Sequence, residues 1–302
     1  MISSLRKVTK LSKNHTDLQY RNLVKNIQGN GEWKKTRNGK TLSHFGEYMK
    51  FDLRDNKIPL STTKKVPWKT CLAELLWFIN GSTDNTNLQK QNVNIWTKNA
   101  DRNFLEERGL NYENEGDLGP IYGHQWRYFN APYNDCKTDY NGEGVDQLQN
   151  IIHSLNDPID RYSRRLILSA WNPNQISEMA LPPCHVISQF SVNSKNELSC
   201  LLYQRSGDVG LGIPFNIASY GFLTNLLAVH CNLKPGKFIH TIGDAHIYEN
   251  HIQQLIMQIS RKPFPSPTLH INKRENIDDY RLEDFEIQNY KTHPTISMEM
   301  MA

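Results

Sequence analysis

The chain lacks the marks of several large protein classes. Its five cysteines (Cys71, Cys136, Cys184, Cys200 and Cys231) are odd in number and show no C-x-x-C spacing. That excludes a disulfide framework and predicts reduced thiols in a cytoplasmic setting. No run approaches the length of a membrane span, and the opening MISSLRKVTKLSKNHT has no apolar stretch of the secretory kind. Because that opening is basic and free of acids, residues 1–17 are expected to form a flexible extension, with one domain from 18 to 302; organelle targeting is the other reading. Charge of one sign is missing too: 35 basic residues stand against 31 acidic ones, for a net charge of +4. Such a balance fits an anionic small molecule at least as well as nucleic acid. RNA binding finds no interleaved aromatic and basic platform to support it. Repeats and low-complexity tracts are also absent.

What is present is apolar patterning. At 38% hydrophobic and 10% aromatic residues, the chain can furnish a substantial core. Leu18, Tyr20, Leu23, Val24 and Ile27 trace a helical face that stops at GNG. TCLAELLWFIN reads as a second helix with Gly81 at its C-terminal cap, and Glu74 sits among its leucines. From about Asp101 to Gly144 the chain is polar and turn-rich, and DQLQNIIHSL then restores a helix. RRLILSAW, HVISQFSVN and ELSCLLYQR are strand candidates, the last two joined as a hairpin through SKN. A long buried helix over PFNIASYGFLTNLLAVHCNL has Pro214 in its first turn. Another runs from about Tyr248 to Ser260. The pattern predicts one mixed α/β domain.

Four features carry chemistry. Cys184, between proline and histidine in LPPCHVISQF, is either a buried inert thiol or a nucleophile. Hairpin pairing would bring Arg205 toward its sulfur. Arg37, Arg164, Arg165 and the pair Arg205-Ser206 are either solvated ends or the forks of a phosphate site. Asn216, near the start of an apolar helix, is either a cap or a carboxamide matched to a uracil edge, donating to the carbonyl and accepting from the ring N–H. In HTIGDAHIYENH, residues His240, Asp244, His246 and His251 do not show the spacing of a zinc site, which leaves sugar contacts or core packing.

Taken together, ELLWFINGST, EGDLGPIYGHQWR, SRRLILSAWNP, LPPCHVISQF, LSCLLYQRSGDVGLGIPFNIASY and FIHTIGDAHIYENH closely resemble the thymidylate synthase family, in that family's order, from about Tyr20 to the tail HPTISMEMMA. The resemblance implies an α/β fold (of the α+β type) with a large twisted mixed sheet flanked by helices, its back face at the interface of a homodimer. It implies reductive methylation of dUMP to dTMP, with 5,10-methylenetetrahydrofolate giving carbon and hydride and leaving as dihydrofolate. Cys184 would add to C6 of the uracil, Glu74 and Tyr122 would manage protons, and Asn216 would select uracil. Arg37, Arg205, Ser206 and Gly207 would hold the phosphate end, with His246, Ile247 and Tyr248 at the ribose. Asp208 would bond the pterin, with Ile95, Trp96, Leu211 and Phe215 as an apolar wall. Arg164 and Arg165 would reach the neighbouring subunit's phosphate, and Met301 would close over the ligands. No metal is implied.

The chain departs from the family pattern at four places: a shortened loop TRNGKTLS around Arg37, Thr97 after Ile95-Trp96, Ser191 after Gln-Phe, and the tail EMMA. None removes a residue needed for bond making. A deoxyuridylate hydroxymethylase on the same fold is the nearest rival, and Trp96 and the closing tail oppose it by excluding water. A Cys-His acyl hydrolase is weaker still, because His185 and Cys184 on one strand would point to opposite faces.

Overall fold

The computed structural model describes residues 12–112 and 114–301. Its helices are α1 (Thr16–Asn30), α2 (Trp68–Ile79), α3 (Asn85–Gln89), α4 (Arg102–Glu107), α5 (Tyr122–Arg127), α6 (Gln147–Asn156), α7 (Gly212–His230) and α8 (Ile252–Ser260). The strands are β1 (Glu32–Thr36), β2 (Gly39–Asp52), β3 (Ile167–Ser169), β4 (His185–Val192), β5 (Glu197–Asp208), β6 (Lys234–Tyr248), β7 (Thr268–Ile271) and β8 (Phe285–Gln288).

Six strands form one sheet in the order β1-β2-β6-β5-β4-β3, and β7 pairs with β8 apart from it. Within the large sheet β5 and β6 run parallel, because α7 carries the chain across between them; the other neighbours are antiparallel. The sheet is therefore mixed and flanked by helices, as the resemblance implied. Along β5 the buried side chains Leu198, Cys200, Leu202 and Gln204 alternate with outward Leu201 and Tyr203. The inward side meets α7, which is apolar all round and buried along most of its length. By length and composition α7 could cross a membrane, although no such run stands out in the sequence; 78% of its most apolar window is packed inside this protein, where it serves as the central core helix.

Helix α2 packs against α7, and its end needs a left-handed residue. Gly81 supplies it at φ +70°, and a Cβ there would meet Tyr128 at 2.7 Å. Helix α1 opens at Thr16, two residues before position 18. Asp17 is buried in the first turn of α1, where its carboxylate accepts from the hydroxyls of Ser61, Thr62 and Thr63 at 2.6–2.7 Å. The last residues of the expected extension thus include the start of α1 and its cap His15, whose ring accepts from the Asp17 amide. Its residues 1–11 lie outside the described part.

Candidate active site

A cavity of about 550 Å³ opens between α2, the start of α7 and the end of β5, a volume within the ordinary range for small-molecule sites. Cys184, Glu74, Tyr122, Ser206, Gly207, Asp208 and Asn216 line it, with Ile95, Trp96, Leu211 and Phe215. Residues as far apart in the chain as Glu74 and Asn216 are thus gathered by α2, α5, α7, the end of β5 and the loops between them.

Cys184 immediately precedes β4, and its carbonyl accepts from the Arg205 amide at 2.9 Å, the hairpin pairing anticipated from SKN. The Arg205 guanidinium donates to the carbonyls of Pro183 and Pro182, both at 2.9 Å, which fixes it beside the thiol. Burial pushes the Cys184 thiol up, and Arg205 pulls it back down. The net direction is upward, so the resting group is a thiol, and Arg205 is the neighbour that favours its ionised form. His185 was expected to point away from Cys184. Instead both line the cavity; Cys184 lies just outside β4, so strand alternation does not govern the pair. The His185 ring packs tilted against Tyr122 and edge-on to Tyr220, and burial holds its pKa down at about 4, so it is neutral.

Glu74 is 7% exposed and faces the same cavity. Desolvation lifts its pKa to about 7, against the lowering effect of the Trp96 Nε1–H, which donates to Oε1 at 2.8 Å. A carboxyl poised near neutrality in an apolar wall is suited to proton transfer. The Tyr122 hydroxyl oxygen accepts from the Cys184 amide at 2.7 Å, leaving its own proton to donate into the cavity. Its pKa is raised, chiefly by burial and further by Cys184, so it stays a phenol.

Asp208 ends β5 and accepts from the amides of Gly210 at 2.8 Å and Leu211 at 3.3 Å. At Gly207 a Cβ would lie 2.3 Å from Ile213, so only glycine lets β5 run this close to α7. His246 stands opposite Asp208 in the β5–β6 register and contacts Asp244 through Nδ1 at 3.1 Å, with Lys34 on the far carboxylate oxygen. No group of side chains suited to a metal occurs among the described residues. Tyr248 packs edge-on to His246 and lies beside the Arg37 turn.

Several expected site residues sit elsewhere. Ile247 is fully buried on the opposite face of β6 from its neighbours, so its side chain cannot reach a ligand at His246 and Tyr248. Arg37 lies in the exposed two-residue turn of the β1–β2 hairpin, outside the cavity, bonded to Asn38 at 3.1 Å. Arg164 and Arg165 occupy an exposed turn ahead of β3, also outside this cavity. Met301 packs by the Gly39 turn and Asn250, and it is Ile296 and Met300 that line the cavity from the tail.

Other lining residues were not anticipated. Lys64 is buried and donates to the Gly210 carbonyl at 2.7 Å; burial lowers its pKa to about 8 against the pull of Asp208. Gln204 is 2% exposed and bridges Asn216 to His240. A glutamine in mid-strand has no sequence signature, and only the packing of β5 against α7 reveals it.

The comparisons match this geometry. A family profile described as thymidylate synthase covers residues 18–302. The chain belongs to the thymidylate synthase family. It is 53% identical to human thymidylate synthase, over 95% of this chain and 91% of that one. It is 52% identical to the thymidylate synthase of equine herpesvirus 2, over 95% and 98%, and 49% identical to that of Saccharomyces cerevisiae, also over 95% and 98%. It is therefore an enzyme, a methyltransferase forming dTMP from dUMP, and the comparisons do not favour the hydroxymethylase.

Proposed function

We propose that this cavity carries out thymidylate synthesis with Cys184 as nucleophile and methylenetetrahydrofolate as co-substrate. The observation that carries the assignment is the convergence of Cys184, Glu74 and Asn216, far apart in the chain, on one apolar-walled cavity. The Cys184 thiolate, stabilised by Arg205, adds to C6 of the uracil, and negative charge moves toward C5 and the 4-carbonyl. Glu74 relays a proton through water near that carbonyl, and Tyr122 orders the water that takes the C5 proton. Asn216 donates to the 4-carbonyl and accepts from the ring N–H. Arg205 and Ser206 meet the phosphate, joined by Arg37 as its turn folds inward, while His246 and Tyr248 hold the 3′-hydroxyl.

The folate supplies carbon and hydride and leaves as dihydrofolate. The residues present fit it: Ile95, Trp96, Leu211 and Phe215 offer a flat apolar wall, and Asp208 accepts from the pterin N–H groups. Lys64 and Lys65, in the same lining, offer cations to the glutamyl carboxylates. The tail, through Ile296 and Met300, excludes water from the reacting carbons.

The working enzyme in this reading is a homodimer. Tyr48, Tyr203, Leu201 and Ile167 expose an apolar strip across one sheet face, at whose edge Arg164 and Arg165 stand ready to enter a partner's phosphate site. The cysteines are all free, in keeping with a reducing cytoplasmic location. The test is dihydrofolate formation followed by absorbance with dUMP and methylenetetrahydrofolate, beside Cys184→Ala. Formation that needs dUMP and is lost in the variant is expected; 5-hydroxymethyl-dUMP as product would overturn the assignment.

A further inference from the structure

The carboxamide of Asn216 reads uracil only if its NH2 and oxygen face the right way, and a side-chain amide can turn over. The surrounding contacts fix that choice from a single backbone atom. The Ser206 carbonyl can only accept, and the Gln204 side chain meets it at 2.9 Å, so the Gln204 atom there is the NH2. The same NH2 lies 2.9 Å from Asn216, whose facing atom must then be its oxygen. That leaves the Asn216 NH2 as the donor toward the cavity. At the other end the Gln204 oxygen lies 2.8 Å from His240 Nε2, and two acceptors cannot face each other, so His240 carries its proton on Nε2. His240 Nδ1 is buried with no hydrogen-bond partner, which suits a bare ring nitrogen and would strand a proton.

We infer that His240, which touches no substrate, is a positioning residue for pyrimidine selection: its Nε2–H holds the Gln204 oxygen while the Ser206 carbonyl holds the Gln204 NH2, and the carboxamide pinned at both ends sets the polarity of Asn216. The chain runs from His240 on β6 through Gln204 on β5 to Asn216 on α7. His240 is fully buried and packed against Phe238 with ring centroids 5.4 Å apart, so the ring cannot swing away. Burial, with His185 adding to it, holds its pKa down at about 3, and the ring remains a neutral single donor. In this arrangement the Asn216 oxygen has one lone pair for Gln204 and one for the uracil N3–H. Cytosine would set its amino group against the Asn216 NH2 and its bare N3 against the oxygen. This inference rests on the reading of Asn216 as the base-selecting residue.

The experiment compares dissociation constants of dUMP and dCMP for the full-length enzyme and its His240→Phe and His240→Gln variants. Phenylalanine keeps a ring against Phe238 and removes the donor, and the preference for dUMP should fall by about tenfold as the Gln204 oxygen loses its partner and the carboxamide is held at its NH2 end alone. Glutamine returns a donor at similar reach and should restore most of the preference. Equal weakening of both nucleotides in His240→Phe, or no rescue by His240→Gln, would show a merely structural role. Asn216→Asp is measured in parallel. If it shifts preference toward dCMP while His240→Phe leaves the ratio alone, the relay is wrong and the reading of Asn216 stands; if Asn216→Asp changes nothing, both fail. Nitrogen-15 NMR of the histidines in the unmodified enzyme needs no variant: protonated Nε2 with bare Nδ1 is expected at His240, and the opposite tautomer refutes the relay.

Discussion

Replacing Glu74 by glutamine should abolish turnover and yet stabilise the protein at alkaline pH. In the folded state the Glu74 proton is held more tightly than in the unfolded chain, with the pKa raised from the ordinary 4.5 to about 7 because the carboxylate is desolvated. A group of this kind contributes its full stability below the unfolded value and loses it as pH rises through the folded one. At about 1.4 kcal/mol per tenfold change in proton affinity, the interval from 4.5 to 7 costs the wild-type fold about 3 kcal/mol by pH 8. The Glu74→Gln variant has no proton to lose at this position, and its carboxamide still offers an oxygen to the Trp96 Nε1–H. The stability difference between variant and wild type should therefore grow by roughly 2–3 kcal/mol in the variant's favour from pH 5 to pH 8. Urea unfolding at fixed protein concentration across that range, with midpoint and slope both recorded, gives the quantity directly. Parallel stability curves would mean that Glu74 titrates normally, and the proton-transfer role drawn from its burial would go with them. Loss of activity alone would not be informative, since glutamine cannot relay a proton in either case.

Four further outcomes are expected. Cys184→Ser should reduce turnover by on the order of 10³ or more while leaving the unfolding midpoint within about 1 kcal/mol of wild type, checked by steady-state rates and urea titration. Trp96→Phe removes the indole donor to Glu74 and should move the Glu74 limb of the kcat/KM pH profile upward by up to about one unit; a limb that stays put contradicts the contact. Mixing refolded Cys184→Ala with an Arg164→Ala/Arg165→Ala double variant should regain about a quarter of wild-type activity if sites are shared across the dimer, and none if they are not. Asp17→Ala strands the hydroxyls of Ser61, Thr62 and Thr63 and should cost about 3 kcal/mol or more by denaturation, which tests that the domain begins before Leu18.

Much of the fold was legible where apolar spacing is local. The helix ending at Gly81, the helix opening at Pro214 and the SKN hairpin all follow from patterns shorter than twenty residues, and they alone bring Cys184, Arg205 and Asn216 into one region. Long pairings were not legible. β2 was not anticipated, and β6 was met as a cluster of histidines, because HTIGDAHIY interrupts its alternation with polar residues, His240 among them buried against a partner distant in sequence. From sequence His240 is open to a sugar contact or to core packing, and its neighbour Gln204 shows the second. Ile247 was placed at the ribose by its neighbours' roles, although its own position on the strand turns it into the core. The tail shows the same limit at finer scale, since adjacent methionines in an extended segment face different surroundings, and only the contacts of Met300 and Met301 tell them apart.

The register of β2 on β6 has a consequence for synthesis. Thr41 pairs with Tyr248 and Asp52 with Lys237, so β2 finds its central neighbour only after roughly 200 more residues have been made. At about 5–20 residues per second, a ribosome leaves that fourteen-residue strand without its partner for some 10–40 s. During that interval it is shielded on one edge by β1 alone, and the other edge is free to pair with any nascent chain nearby. The arrangement that places β6 between β2 and β5 therefore makes yield in a cell depend on holdase chaperones and elongation speed, and slowing translation before Lys234 should lower the soluble fraction without touching a residue of the mature enzyme.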